Sequence, residues 1–183
     1  MTVSVTKDFA GNRLIVERSY LASADLVWAC WTQAAHLRQW WGPHGWLVDI
    51  FELDLRPGGA WRYRLRPEAE HELADEQWGR AVYRVVEAPG RLEFDDGFAD
   101  ASGTVIEGSE MPTAVQIVRS GDHTSVTITV TFAAADHLER AEAIGMVEGF
   151  SDALERLGGE LSLAGAGHAR VDEMTNDSER SRS

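Results

Sequence analysis

Two side chains have neighbours that would suit proton chemistry. Glu148 is flanked by Val147 and Gly149 and shares a helical face with Gly145. Turned inward, its carboxyl would meet an apolar cavity, its pKa would rise, and it could act as a general acid or base. Turned outward, it joins Asp152 and Glu155 on a solvated face, which is the plainer reading. His44 stands in Gly42-Pro43-His44-Gly45 between Trp41 and Trp46. There it is either a donor at a pocket mouth or an exposed loop residue. No residue nearby in sequence completes a catalytic pair for either one. Asp49 or Glu52 could substitute only if their strand turns them inward.

The side chains suited to binding are more numerous. Tyr63, Trp78, Met146 and Phe150 are the expected walls of an apolar site, with Trp41 and His44 at its mouth. Met146 and Phe150 lie one turn apart on a helix, and a thioether adapts to irregular ligands. Both could equally fill a core. Gly145 and Gly149 each cost a helix roughly 0.8–1 kcal/mol against alanine. That cost implies close packing against a sheet, or space left for a ligand. Arg62, Arg64 and Arg66 alternate along one strand. They form either a site for an anionic head group or a solvated face balanced by nearby acids, the latter being the simpler account.

Other chemistry lacks its residues. Cys30 is the single cysteine and lies in the apolar run Val27-Trp28-Ala29-Cys30-Trp31, where a buried small hydrophobe is the default. No disulfide framework exists. The six histidines are scattered without metal-ligand spacing, and no phosphate-binding glycine loop, nucleophile elbow or C-x-x-C occurs. No metal and no cofactor is therefore expected.

The elements that would position these residues follow from periodicity. Arg13 to Leu21 alternates as a strand. Ser23 and Asp25 open a short helix ending near Thr32, and a second short helix from Gln33 carries Leu37, Trp40 and Trp41 until Gly42-Pro43 stops it. Strands are expected over Trp46–Leu55, Ala60–Leu65, Trp78–Glu87, Arg91–Asp95, Ala114–Arg119 and Thr124–Ala133. Turns at Pro57-Gly58-Gly59, Ala88-Pro89-Gly90 and Ser120–His123 separate several of them. Within Ala60–Leu65, Trp61, Tyr63 and Leu65 face one way and Arg62, Arg64 and Arg66 the other.

Asp136 to Leu161 then reads as one amphipathic helix of about 25 residues and roughly 35 Å. Asp136 and Glu139 have capping-box spacing. The pattern implies an α+β domain, a curved antiparallel sheet wrapped around a long C-terminal helix. A flexible segment over 1–12 and a disordered polar tail over 162–183 would flank a domain at 13–161. Residues 95–112 are glycine- and acid-rich and are expected to leave an edge strand able to pair with a second copy as a homodimer.

Several local motifs support this order. They are Val27-Trp28, Trp40-Trp41-Gly42-Pro43, Leu55-Arg56-Pro57-Gly58-Gly59, Gly79 followed by Val82, Glu87-Ala88-Pro89-Gly90-Arg91-Leu92, and Gly145-Met146 with Glu148-Gly149-Phe150. Together they resemble the Hsp90-ATPase-activator-homologue-1-like (AHSA1-like) branch of the START/Bet v 1-like (SRPBCC) superfamily, over about residues 12–160. The resemblance implies a helix-grip fold, often with an apolar cavity. Other branches bind lipids, steroids or polyketides, and some catalyse cyclisation or hydration. Family members usually carry tryptophan after the glycine matching Gly149. Phe150 stands there in this chain, which keeps an aromatic plug without its N–H donor.

Composition narrows the partners. The 183 residues are 44% hydrophobic with a formal charge of −13, enough for one core and unsuited to nucleic acid or anionic membrane surfaces. No run approaches the length of a membrane span, and the N-terminus lacks a leader pattern, so a cytoplasmic protein is expected. The leading functional reading is a binder of a small apolar or amphipathic molecule between sheet and helix. The alternatives are a polyketide cyclase or hydratase-like enzyme, and a chaperone-associated or stress-response interaction module with an Hsp90-type partner.

Overall fold

The computed structural model describes residues 2–68 and 75–180, with side chains described as far as residue 166. Among the described residues, nine antiparallel strands form one sheet. They are β1 (Ser4–Asp8), β2 (Arg13–Tyr20), β3 (Trp46–Leu53), β4 (Ala60–Pro67), β5 (Gln77–Glu87), β6 (Arg91–Asp96), β7 (Phe98–Ala99), β8 (Met111–Ser120) and β9 (His123–Thr131). The order across the sheet is β1-β2-β9-β8-β6-β5-β4-β3, with β7 paired to β5. Register shifts between Ile50 and Glu52 and between Tyr83 and Val85 bend the sheet, as bulges do. Helices α1 (Ala24–Thr32) and α2 (Ala34–Trp40) lie between β2 and β3, and α3 (Ala135–Ala143) and α4 (Met146–Arg180) follow β9.

The local chemistry explains the short helices. Ser23 Oγ accepts from the Leu26 N–H and caps α1, while Trp40 Nε1 donates to Cys30 O at 2.8 Å and ties α2 back to α1. Cys30 is buried, and desolvation, followed by the charge of Glu160, pushes its thiol up to about 12. It is a core residue and not a nucleophile.

Helix α4 lies against the concave face and buries Val147, Ala153, Leu154, Leu157 and Leu161. Tyr20 Oη on β2 donates to Leu154 O at 2.8 Å, and Arg18 donates to the same oxygen. From β9 and the chain just beyond it, Val126, Ile128, Val130 and Phe132 supply the buried row facing the helix.

Several expectations are corrected. Asp136–Leu161 is not one helix, because it breaks at Ile144-Gly145, where Gly145 adopts φ +81°. A left-handed residue cannot continue an α-helix. The cap shifts too: Ala134 is the N-cap without a side-chain bond, and Asp136 pairs with Arg140 inside the first turn. Part of the segment over 1–12 is strand β1, paired along β2 from Ser4↔Glu17 to Asp8↔Arg13. The edges of the sheet are β1 and β3, whereas residues 98–99 are held by β5. The helical backbone passes Gly158-Gly159 and continues to Arg180, beyond the expected boundary at Leu161. The rest of the tail, residues 181–183, and part of the loop after β4, residues 69–74, lie outside the described residues.

Gly145 and Gly149 give opposite predictions. A Cβ built at either Gly145 or Gly149 meets nothing within 4 Å. Gly149 lies within α4, so Gly149→Ala should raise stability by about 0.5–1 kcal/mol through helix propensity. Gly145→Ala should lower it by roughly 1–2 kcal/mol through the left-handed backbone. Urea unfolding of both variants measures this, and a shift of the same sign for both would contradict the break at Gly145.

Candidate functional site

A cavity of about 650 Å³ lies between the concave face and the start of α4. The loop after α2 contributes Trp41 and Pro43, the start of β3 contributes Trp46, and β4 contributes Tyr63 and Leu65. The far wall is built by Asp96, Gly97, Phe98 and Met111, and the α3–α4 junction adds Ile144, Met146, Gly149 and Phe150. The mouth lies among Gln77, Ile144 and Gly145, all exposed, with Ile144 67% accessible. Trp41 is central to the aromatic wall. Its ring meets Trp61, Tyr63 and Phe150 edge-on at centroid distances of 4.8, 6.0 and 6.2 Å, arrangements that aromatic quadrupoles favour.

The polar end of the cavity is a carboxyl that the sequence-based reading did not select. Leu92, Phe94 and Asp96 form the inward row of β6, so Asp96 occupies a position suited to a hydrophobe. Its oxygens accept from Tyr63 Oη at 3.1 and 3.3 Å and from the Gly97 N–H at 3.0 Å. Burial raises its pKa from 3.8 to about 6, against the two hydrogen bonds, which pull it down. Burial also drives Tyr63 well above its ordinary value, and the charge of Asp96 adds to that. Tyr63 is therefore a neutral donor throughout the accessible range.

Tyr63 is held in place by a neighbour with no side chain. It lies directly opposite Gly79 across β4 and β5, and a Cβ on Gly79 would stand 2.3 Å from Tyr63 Cζ. The ring thus occupies the space above the glycine and aims its hydroxyl at Asp96.

The expected site residues divide. Trp41, Tyr63, Met146 and Phe150 line the cavity; His44, Trp78 and Glu148 do not. Trp78 is on the opposite sheet face, because it pairs with Arg64 and alternates with the inward Gly79 and Ala81. There it stacks on Phe51 at 5.0 Å beneath the Arg64 guanidinium. His44 is exposed, with its backbone N–H on Asp152 and its ring 3.9 Å from Glu155. Glu148 is exposed on the outer side of α4, and Glu52 is exposed on β3. Asp49 is on the outer face and accepts from Arg64 and Arg66. Those arginines form a balanced surface: Arg64 also pairs with Glu76, and Arg62 stands over the Phe51 ring. Among the described residues no group of three or more His, Cys, Asp or Glu side chains could hold a metal ion.

Arg156 was also missed, and it fastens the mouth loop to α4. Its guanidinium donates to the carbonyls of Gly42, Pro43 and Trp46 at 3.1, 2.8 and 3.2 Å and to Gln39 O at 3.1 Å. Nothing in its sequence neighbourhood signals four carbonyl partners more than a hundred residues away. Arg156→Met should cost about 1–2 kcal/mol, the scale of charge-assisted bonds lost from a partly exposed group. It should also broaden the amide NMR signals of Gly42 and residues 44–46. Unchanged stability and sharp signals would show that the loop holds itself.

The comparisons with known proteins fit this geometry. The family model "Activator of Hsp90 ATPase homolog 1-like protein" matches residues 21–162. The chain belongs to that family. Solved structures agree on the helix-grip architecture. A protein from Arthrobacter aurescens is 29% identical with a TM-score of 0.81, over 88% of this chain and 92% of that one. Protein Ms6760 from Mycobacterium smegmatis is 23% identical with a TM-score of 0.78, over 86% and 95%. The AHSA1 protein from Silicibacter pomeroyi is 22% identical with a TM-score of 0.67, over 83% and 99%. No curated protein matches the chain in sequence. Membership of the AHSA1-like family and the START-like fold supports a ligand-binding kind of domain in general. No helix among the described residues is long and apolar enough to cross a membrane.

Proposed function

We propose that this AHSA1-like domain binds a small apolar or amphipathic molecule in the cavity between sheet and α4. The observation that carries the reading is the void itself, about 650 Å³ walled by Trp41, Tyr63, Met111 and Phe150, at the foot of which a Cβ added to Gly149 would meet no atom within 4 Å. Ligand pockets of about 300–1,000 Å³ with apolar walls and few polar groups are the usual form. A ligand burying roughly 300 Å² of apolar surface gains about 7 kcal/mol at 25 cal/mol per Å² before ordering costs, which leaves micromolar to millimolar affinity.

The test is a tryptophan-fluorescence titration with phenylbutanol, since Trp41 and Trp46 lie on the wall. Saturable binding by the native chain, weakened at least about tenfold in Gly149→Phe while that variant stays folded, is the expected result. No saturable signal, together with no lipophile co-purifying on native mass spectrometry, overturns the reading.

One observation favours a second reading, an acid–base enzyme of the cyclase or hydratase kind. Asp96 is a buried carboxyl inside the cavity whose pKa is raised to about 6, near the value a general base needs. It takes the role that Glu148 and His44 cannot fill from outside. Turnover of a bound polyketide-type substrate that is abolished in Asp96→Asn, with binding retained, would establish it; unchanged turnover would exclude it. A chaperone partner rests on the family description alone. A homodimer made by strand pairing would form through β1 or β3, the edge strands among the described residues.

A further inference from the structure

The binder reading leaves one feature unexplained, a carboxyl in a cavity walled mostly by carbon. Asp96 is only 7% exposed and faces two neutral donors, Tyr63 Oη and the Gly97 N–H. Among the described residues it has no ion pair. The cations nearest in sequence are committed or turned elsewhere. Arg91 pairs with Glu87 and Glu93, and Arg80 alternates with the inward Gly79 and Ala81 along β5. Arg62 and Arg64 point to the outer sheet face, Arg84 pairs with Asp95 there, and Arg156 is spent on backbone carbonyls. Removing an ionised carboxyl from water without a counter-charge costs several kcal/mol, which two neutral hydrogen bonds offset only in part.

The rest of the cavity favours a cation for the same purpose. Trp41, Trp46, Tyr63, Phe98 and Phe150 present aromatic surface around the space, and ring faces attract ammonium groups when water is excluded. The protein's formal charge of −13 also draws cations toward it,. A fatty-acid-type ligand is disfavoured, because its carboxylate would have to lie against Asp96 or remain at the mouth.

Resting on the binder reading above, we infer that the ligand is an amphipathic primary or secondary amine whose ammonium sits against Asp96 while its apolar body fills the space toward Gly149. The ammonium supplies the counter-charge that the fold withholds. An alcohol of the same shape can hydrogen-bond there but leaves the charge uncompensated. Tyr63 and Asp96 are the titratable side chains lining the cavity among the described residues. Tyr83, on β5, also feels the Asp96 charge, and both tyrosines remain neutral.

The experiment titrates three isosteres, phenylbutylamine, phenylbutanol and phenylbutyrate, into the native chain and Asp96→Asn at about pH 8, where amine and carboxylate are both ionised. In the native chain the amine should bind at least about tenfold tighter than the alcohol, and the carboxylate weakest. In Asp96→Asn the amine's advantage should vanish while the alcohol binds as before. Should that variant not fold, the native chain still decides: the amine's preference must fade as pH falls below about 6, where Asp96 takes a proton,. An alcohol as tight as the amine, a preference that survives Asp96→Asn, or one indifferent to pH overturns the inference. Each of those outcomes leaves the cavity reading intact, provided Gly149→Phe still blocks the alcohol. Binding of none of the three overturns both.

Discussion

Asp96→Asn should raise the stability of this domain at about pH 8 by roughly 3 kcal/mol, from about two pKa units at 1.36 kcal/mol each. The sign follows from the proton. The folded chain holds it up to about pH 6 and the ordinary carboxyl releases it near 3.8. Between those values the folded state binds more protons than the unfolded one, so stability falls as pH rises. The contribution of Asp96 is fully present below pH 3.8, declines through pH 6 and is gone above it. Asparagine keeps the geometry, because its Oδ1 can accept from both the Gly97 N–H and Tyr63 Oη, as that oxygen of Asp96 does at 3.0 and 3.3 Å. Asp8, Asp49, Asp100 and Asp122, whose pKa values are lowered, act in the opposite sense and mainly at more acidic pH. The difference between native chain and variant isolates Asp96. Denaturant unfolding at several pH values measures it, and parallel curves for the two proteins would show that Asp96 is not buried as a carboxyl.

Gly79→Ala should be comparably costly in the other direction, about 3 kcal/mol or more of lost stability. A methyl group 2.3 Å from Tyr63 Cζ and 2.5 Å from its hydroxyl oxygen must displace the ring. Tyr63 is also hemmed in by Trp61 at 4.9 Å and Trp41 at 6.0 Å. Overpacking of this kind costs about 1–3 kcal/mol, and a hydroxyl drawn away from Asp96 adds the penalty of an under-satisfied buried group, about 1–3 kcal/mol more. The same displacement should deepen the pH dependence, because Asp96 loses the bond that lowers its pKa. A change below about 1 kcal/mol would mean that the Tyr63 ring does not lie over Gly79.

Much of the fold was legible because its strands alternate cleanly. Arg13–Tyr20, Ala60–Leu65 and Val126–Phe132 show which residues face α4 by period two alone,. The polar strand Ser4–Asp8 is an edge element whose side chains are largely exposed, so it carries no hydrophobic signal. The α3–α4 break was hidden for a different reason. The apolar spacing of Leu138, Ala141, Val147 and Leu154 passes across Gly145, and periodicity does not record the sign of φ.

The site was legible where bulk and location agreed, as for Trp41, Tyr63, Met146 and Phe150. It failed where bulk was weighed above alternation. Trp78 looked like a wall, yet Gly79, Ala81 and Tyr83 are the inward row of β5, and one residue of register changes the face. Asp96 lies one residue beyond the expected strand Arg91–Asp95, at the end of β6. Extending Leu92 and Phe94 by one step of two would have placed a carboxyl inside the sheet, a conflict of pattern with chemistry that marks functional positions.

A high-resolution crystal structure under xenon would probe the unfilled space between α4 and the concave sheet. Xenon density is expected between Trp41, Met111, Gly149 and Phe150, inside a cavity near 650 Å³, with the Asp96 carboxyl at its polar end. Side chains closed over that space, with no xenon between helix and sheet, would contradict the binder reading.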